Sequence, residues 1–229
     1  MQAISPEPTA AQFHQRDASP LLLEFYEQLL SRFGKQYWWP GDTPWEVAVG
    51  AILTQNTNWR NVEKAIDKLK NAGALPVGRI LEVTDSELAN LIRSSGYFNI
   101  KAKRLQNLAV WWDRTSSLGF NPSANFCELR SSLLSVKGIG EETADSILLY
   151  AFNRQTFVVD AYTKRFLLRH KLVMPTATYQ DTKSFFERNL PASTEIYKEY
   201  HALIVVLGKH HCKPTPQCEQ CPLRWHLPD

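Results

Sequence analysis

Three features of this 229-residue chain have residue types and spacings that could do chemistry. The first is Leu134-Ser135-Val136-Lys137-Gly138-Ile139-Gly140-Glu141-Glu142-Thr143-Ala144, where two glycines stand two apart in a short turn between helix-like stretches. Glycine permits positive φ and leaves no side chain between backbone and partner. The N–H groups of such a turn, with those opening the next helix, can approach a phosphate. Contacts of this kind grip a nucleic acid without reading its sequence. Ile139 would pack inward. An ordinary connection between two helices has the same glycine spacing, so the turn alone leaves both readings open.

The second feature is Asp160, after Val158-Val159 and before an apolar-periodic run from Ala161. Aspartate is favoured as a helix N-cap there. A fixed carboxylate can also stabilise developing positive charge and orient or deprotonate water. The third is Cys212-x5-Cys218-x2-Cys221, a metal-like spacing with His210, His211 and His226 close by. Cys127 lies far off, before the glycine turn.

The elements that must position these residues read as helices. Apolar spacing or end signals mark Leu21 to Phe33, Pro44 to Leu53, a run capped at Thr57 or Asn58 and ending near Asn71, Asp85 to Ile92, and Lys101 to Trp112. Phe126 to Leu134, Glu142 to Phe152, Ala161 to His170, Tyr179 to Leu190 and Thr194 to Gly208 follow. No alternating strand stands out, and Thr156 to Val159 is at most a short apolar run. The expected class is all-α with short loops. Residues 1–20 are polar and carry three prolines, which fits a loose arm. A net charge of +3 permits a polyanion partner without requiring one. No stretch approaches the roughly 20 apolar residues of a membrane helix. The N-terminal sequence lacks a secretory pattern, and the expected setting is intracellular.

The pattern G-I-G-x-x-T-A from Gly138, then Val158-Val159-Asp160, then Lys164-Arg165 on a helix, resembles the helix-hairpin-helix (HhH-GPD) DNA glycosylases of the endonuclease III class. Ile52-Leu53-Thr54-Gln55-Asn56-Thr57, Gly96-Tyr97-Phe98-Asn99-Ile100-Lys101-Ala102 and the terminal cysteines extend the likeness from about Leu22 to Leu223. It implies two helical lobes with a DNA groove between them. One lobe would span 36–151 and end in the hairpin; 1–35 with 152–229 would form the other. It also implies a monomer acting on double-stranded DNA with damaged bases, and no membrane.

The resemblance assigns Val136 to Gly140 to DNA and Asp160 to catalysis. Bifunctional members carry a lysine four positions after the first hairpin glycine, where an amine attacks the sugar and forms a Schiff base. Glu142 stands there and cannot form that imine. The pattern is closest to the 3-methyladenine DNA glycosylase III branch, so monofunctional excision of alkylated purines is expected. Oxidised pyrimidines, or DNA binding without chemistry, are the alternatives. Glu142 is a second catalytic carboxylate or a helix N-terminal acid. Trp38, Trp39, Pro40 and Trp59 fall on the branch's base-pocket positions. An indole face attracts a cationic alkylated base by roughly 0.5–2 kcal/mol. Trp45 is expected in the core. Gln55 and Tyr97 match residues that fill the gap left by an extracted base. Lys101, Lys103, Arg104, Lys164 and Arg165 could reach phosphate. Relatives hold a [4Fe-4S] cluster with four cysteines. Here Leu227 occupies the fourth place, with His226 beside it. A cluster using His226 or an outside ligand, a zinc ion, or no metal at all remain open.

Overall fold

The computed structural model describes residues 18–117 and 125–227. It divides into two compact units, Met1–Trp38 with Gln155–Asp229, and Trp39–Arg154. The expected N-terminal arm falls almost wholly outside the described residues. Described residues form helices and no strands. None of these helices is long and apolar enough to cross a membrane.

Helices are numbered in chain order through both units. Helix α1 is Ser19–Phe33, and the Trp39–Arg154 unit begins with α2, Pro44–Leu53. Pro44 suits a first helical position. Thr43 caps the end by accepting from Glu46 N–H. From Trp45 to Leu53 every residue is buried. Glu46, buried among them, is paired with Lys70 at 2.7 Å. Helix α3 is Trp59–Asn71, capped by Asn58, and puts Val62, Ala65, Ile66 and Leu69 into the core. Val62, Ile66 and Leu69 each contribute about 1.5–3 kcal/mol by this burial, and Ala65 less.

Helix α4 (Val77–Glu82) was not expected. It is short and contains Gly78, so it carries little periodic signal. Helix α5 is Asp85–Leu91, capped by Thr84, whose side chain accepts from Glu87 N–H. Helix α6 runs from Phe98 to Ser117, longer at both ends than the apolar spacing suggests. Helix α7 (Phe126–Leu134) and α8 (Glu141–Ser146) flank the glycine turn. The expected single helix from Glu142 to Phe152 is in fact broken in type. After Ser146 the chain widens into a π-turn, Ile147–Ala151, closed by Phe152 N–H donating to Ile147 O at 3.2 Å. Such turns are uncommon and often lie at functional sites.

The second unit contains α1, α9 (Ala161–Arg169), α10 (Tyr179–Asn189) and α11 (Thr194–His210). Its core is aromatic. Phe157 stacks on Phe186 at 3.9 Å, and both meet Tyr200 edge-on. Phe25 of α1 meets Phe166 of α9 at 5.6 Å. The extended segment before Asp160 is tied to α10, where Glu187 accepts from Phe157 N–H at 2.9 Å. Thr178 and Asp181 form a reciprocal capping box at the start of α10.

Candidate functional site

Asp160 is the N-cap of α9. Its Oδ1 accepts from Thr163 N–H at 2.7 Å and from Thr163 Oγ1 at 2.9 Å. His201, buried on α11, brings Nε2 to 3.5 Å from the other oxygen, Oδ2. Burial pushes the carboxyl pKa up, but His201 and the Thr163 bonds outweigh it, and the net shift is downward. The side chain is 14% exposed. One oxygen is thus committed to fixing orientation, while the other is held ionised beside an imidazole. The cap and the poised carboxylate are one arrangement. His201 gave no sequence signal, because a lone histidine on an apolar helix face is usually a core residue.

The hairpin lies in the other unit. Gly138 adopts φ +99°, and a side chain there would collide with the Arg104 stem, 2.9 Å from Cδ. Gly140 has φ −98° and caps α8; no atom lies within 4 Å of where its Cβ would stand. Only Gly138 therefore uses glycine's left-handed freedom, and Gly140 leaves open space instead. Val136 and Ile139 are buried, and Lys137 is exposed. Glu142 is exposed in the first turn of α8.

Gln55 and Tyr97 sit in this same unit. Tyr97 is 67% exposed at φ +46°, next to Gly96 at φ +68°. The Gln55 amide is hydrogen-bonded through both its oxygen and its nitrogen. Its Oε1 accepts a short hydrogen bond from Arg104, and its Nε2 donates to Thr143 Oγ1 at 2.9 Å and to Gly138 O at 3.4 Å. One of the basic candidates is not where the sequence suggests. Lys101 is buried, with Nζ donating to Leu53 O and Ser95 O, both at 2.7 Å, so it cannot reach phosphate. Arg165 donates to Cys212 O at 2.6 Å. Lys103 is exposed, and Lys164 is half-buried.

Of the four base-pocket candidates, Trp39 and Trp59 are in direct contact. Trp39 and Trp59 meet edge-to-face at 5.5 Å, and Tyr150 stacks on Trp39 at 4.7 Å. Gly50 makes room for them, since a Cβ there would stand 3.3 Å from both indoles. Trp39 has φ +71° and donates from Nε1 to Val47 O at 3.2 Å. Pro40 is exposed. Trp38 belongs to the other unit, where Lys209 Nζ stands 5.1 Å from its ring centroid. Tyr150, on the π-turn, was missed because Ile147-Leu148-Leu149-Tyr150-Ala151 reads as ordinary apolar helix. Trp45 is in the core, donating to Leu75 O at 2.7 Å.

Cys212, Cys218 and Cys221 are free thiols lining a small cavity of about 20 Å³ with His211 and Leu227. Burial pushes the Cys221 thiol up, and Cys218 and Cys212 add to this. Arg169 donates to Cys212 Sγ at 3.1 Å. His226 is committed elsewhere. Its ring packs on Phe25 at 5.1 Å, with Nε2 3.0 Å from Gln28 Nε2 and 3.3 Å from Glu24. Among the described residues no three His, Cys, Asp or Glu side chains are grouped to hold a metal ion. The residues present do not fit a four-ligand cluster with His226 as the fourth donor.

A family model described as "HhH-GPD superfamily base excision DNA repair protein" matches residues 49–192, which include the hairpin and Asp160. The chain belongs to the HhH-GPD superfamily. A Methanocaldococcus jannaschii protein with a provisional name as a DNA repair glycosylase is 47% identical over 89% of this chain and 94% of its own length. Endonuclease III of Sulfolobus acidocaldarius is 28% identical over 77% of this chain and 78% of its own. The structure of H. pylori 3-methyladenine DNA glycosylase bound to 1,N6-ethenoadenine is 30% identical, with TM-score 0.72 over 85% of this chain and 98% of that one. A non-covalent endonuclease III–DNA complex shares the fold, at TM-score 0.78 and 20% identity over 91% and 94% of the two chains. This HhH-GPD protein is a base excision repair DNA glycosylase, an enzyme for the N-glycosidic bond, with DNA as its partner.

Proposed function

We propose that this glycosylase is monofunctional and removes alkylated purines such as 3-methyladenine by Asp160-assisted hydrolysis. The observation that carries the reading is the division of labour at Asp160, where Oδ1 is anchored by Thr163 and Oδ2 is held ionised beside His201. The glycosidic bond breaks with its electron pair leaving on the base, and positive charge builds on the sugar. The Asp160 carboxylate stabilises that charge and orients a water, whose oxygen bonds to the sugar carbon and whose proton passes to the carboxylate. Alkylation of adenine at ring nitrogen N3 gives the nucleotide's base a positive charge, so 3-methyladenine leaves readily. Glu142 stands where an imine-forming lysine would be needed and acts as a helix N-terminal acid.

Trp59 offers indole surface to such a base, and Trp39 supports it with Tyr150 behind. The hairpin Val136–Gly140 holds the phosphate backbone, and Gln55 and Tyr97 fill the gap left by the base. The 30% identity to the H. pylori enzyme supports the alkylbase reading. The cysteine loop takes no part in the reaction and serves as packing for the C-terminal segment. The test offers duplexes bearing 3-methyladenine, thymine glycol or uracil, with and without alkali. Release of 3-methyladenine without strand cleavage is expected; release of thymine glycol with cleavage before alkali would favour the endonuclease III-like reading instead.

A further inference from the structure

Lys101, Arg104 and Asn107 recur every third residue on α6 and lie on one face of it. Each is bonded to a different piece of the proposed DNA-contacting surface. The Lys101 ammonium donates to the carbonyl of Leu53, the last residue of α2 before Thr54-Gln55, and to that of Ser95, just before Gly96-Tyr97. A single cation therefore ties together the roots of the two loops that carry Gln55 and Tyr97. Arg104 bonds Gln55 Oε1, and its stem fills the space above Gly138 that a side chain would need. Asn107 Nδ2 donates to Lys137 O at 3.0 Å.

Burying an ammonium is costly, and an apolar side chain of similar length would pack there without that cost. What an apolar residue could not do is hold two carbonyl ends at a fixed separation. The loops so held are strained, with Asn56 at φ +54° and Tyr97 at φ +46°. Strained backbone of this kind persists only where its surroundings determine it.

We infer that Lys101 and Arg104 are positioning residues that fix the two gap-filling side chains in register with the hairpin. The inference rests on the reading of Gln55 and Tyr97 as gap fillers. The brace ensures that a hairpin seated on phosphate brings both side chains to one place along the duplex. It acts on the distinction between damaged and intact DNA, not on the overall grip.

The readout is the ratio of Kd for an intact duplex to Kd for one carrying a tetrahydrofuran abasic analogue, measured with the full-length protein. Q55A and Y97A are each expected to lower that ratio. R104M should lower it by roughly five- to tenfold, and R104M added to Q55A/Y97A should lower it no further, as for residues acting as one unit. K101M, if it folds, should behave like R104M; if it does not fold, R104M decides. A merely structural or phosphate-contacting role would weaken both affinities together and leave the ratio unchanged, which overturns the inference. If Q55A and Y97A lower the ratio while R104M does not, the brace is wrong and the gap fillers stand. If Q55A and Y97A themselves leave it unchanged, the gap-filling reading fails and the brace fails with it.

Discussion

His201 Nε2 stands 3.5 Å from Asp160 Oδ2, on the side of the carboxylate that Thr163 leaves open. The imidazole is buried, and it comes from α11 while Asp160 caps α9. Two helices of one unit therefore define the ionisation of the group assigned to the chemistry.

This relationship sets a pH dependence. His201→Phe leaves the burial of Asp160 in place and removes the largest of the contributions that oppose it, with the Thr163 bonds remaining, so the carboxyl pKa should rise. The acid limb of the kcat/KM profile should then move to higher pH, with activity recovered at alkaline pH. An unmoved acid limb would remove His201 from the mechanism. The sign for stability follows in the same way. A depressed carboxyl contributes stability above its unfolded value near 3.8, and that contribution is lost as pH falls through the folded value. Acid unfolding of His201→Phe should lack part of this loss, as read by circular dichroism.

The two hairpin glycines should respond differently. Gly138→Ala forces a side chain into φ +99° and against Arg104, and is expected to cost about 1–3 kcal/mol of stability. Gly140→Ala meets no atom within 4 Å at φ −98° and should leave the melting temperature nearly unchanged. Weaker binding to duplex DNA by a fully stable Gly140→Ala protein would mark close approach of backbone to phosphate. Equal melting losses for both variants would contradict this division.

Trp39 is expected to act through packing. Trp39→Ala should destabilise the protein by about 3 kcal/mol, since it removes the ring on which both Tyr150 and Trp59 pack. Trp59→Ala should lower kcat/KM for an alkylated base by more than it lowers stability. Denaturant unfolding alongside single-turnover base release separates the two, and the reverse ordering would exchange their roles.

Arg169 clamps the cysteine loop through Cys212 Sγ and Pro214 O. Arg169→Ala is expected to cost about 1–2 kcal/mol with base release per folded molecule unchanged. Lost turnover at full stability would bring the loop into the reaction.

Much of the fold was legible because its helices carry their own end signals. Pro44 after Thr43 and Asn58 before Trp59 fix the starts of α2 and α3, and the apolar spacing carries each to its end. Helix α4 was not legible, being six residues long with a glycine inside. The π-turn was hidden because a run of buried apolar residues looks the same in either helix type. The cap role of Asp160 and the turn at Gly138 follow from residue type and spacing, while their catalytic and DNA-binding assignments came only from the family resemblance. Direction could not be found. Lys101 reads as a surface cation but turns inward to two carbonyls, and His226 sits beside the cysteines in sequence while its ring lies on Phe25. Trp38 and Trp39 are adjacent residues that belong to different units.

The most direct test of Asp160-driven hydrolysis without strand cleavage is product analysis on a 3-methyladenine duplex, comparing wild type with Asp160→Asn. Wild type should release the base, with strand breaks appearing only after alkali, and Asp160→Asn should release none while still binding the duplex. Full base release by Asp160→Asn, or strand cleavage by wild type before alkali, would contradict the account.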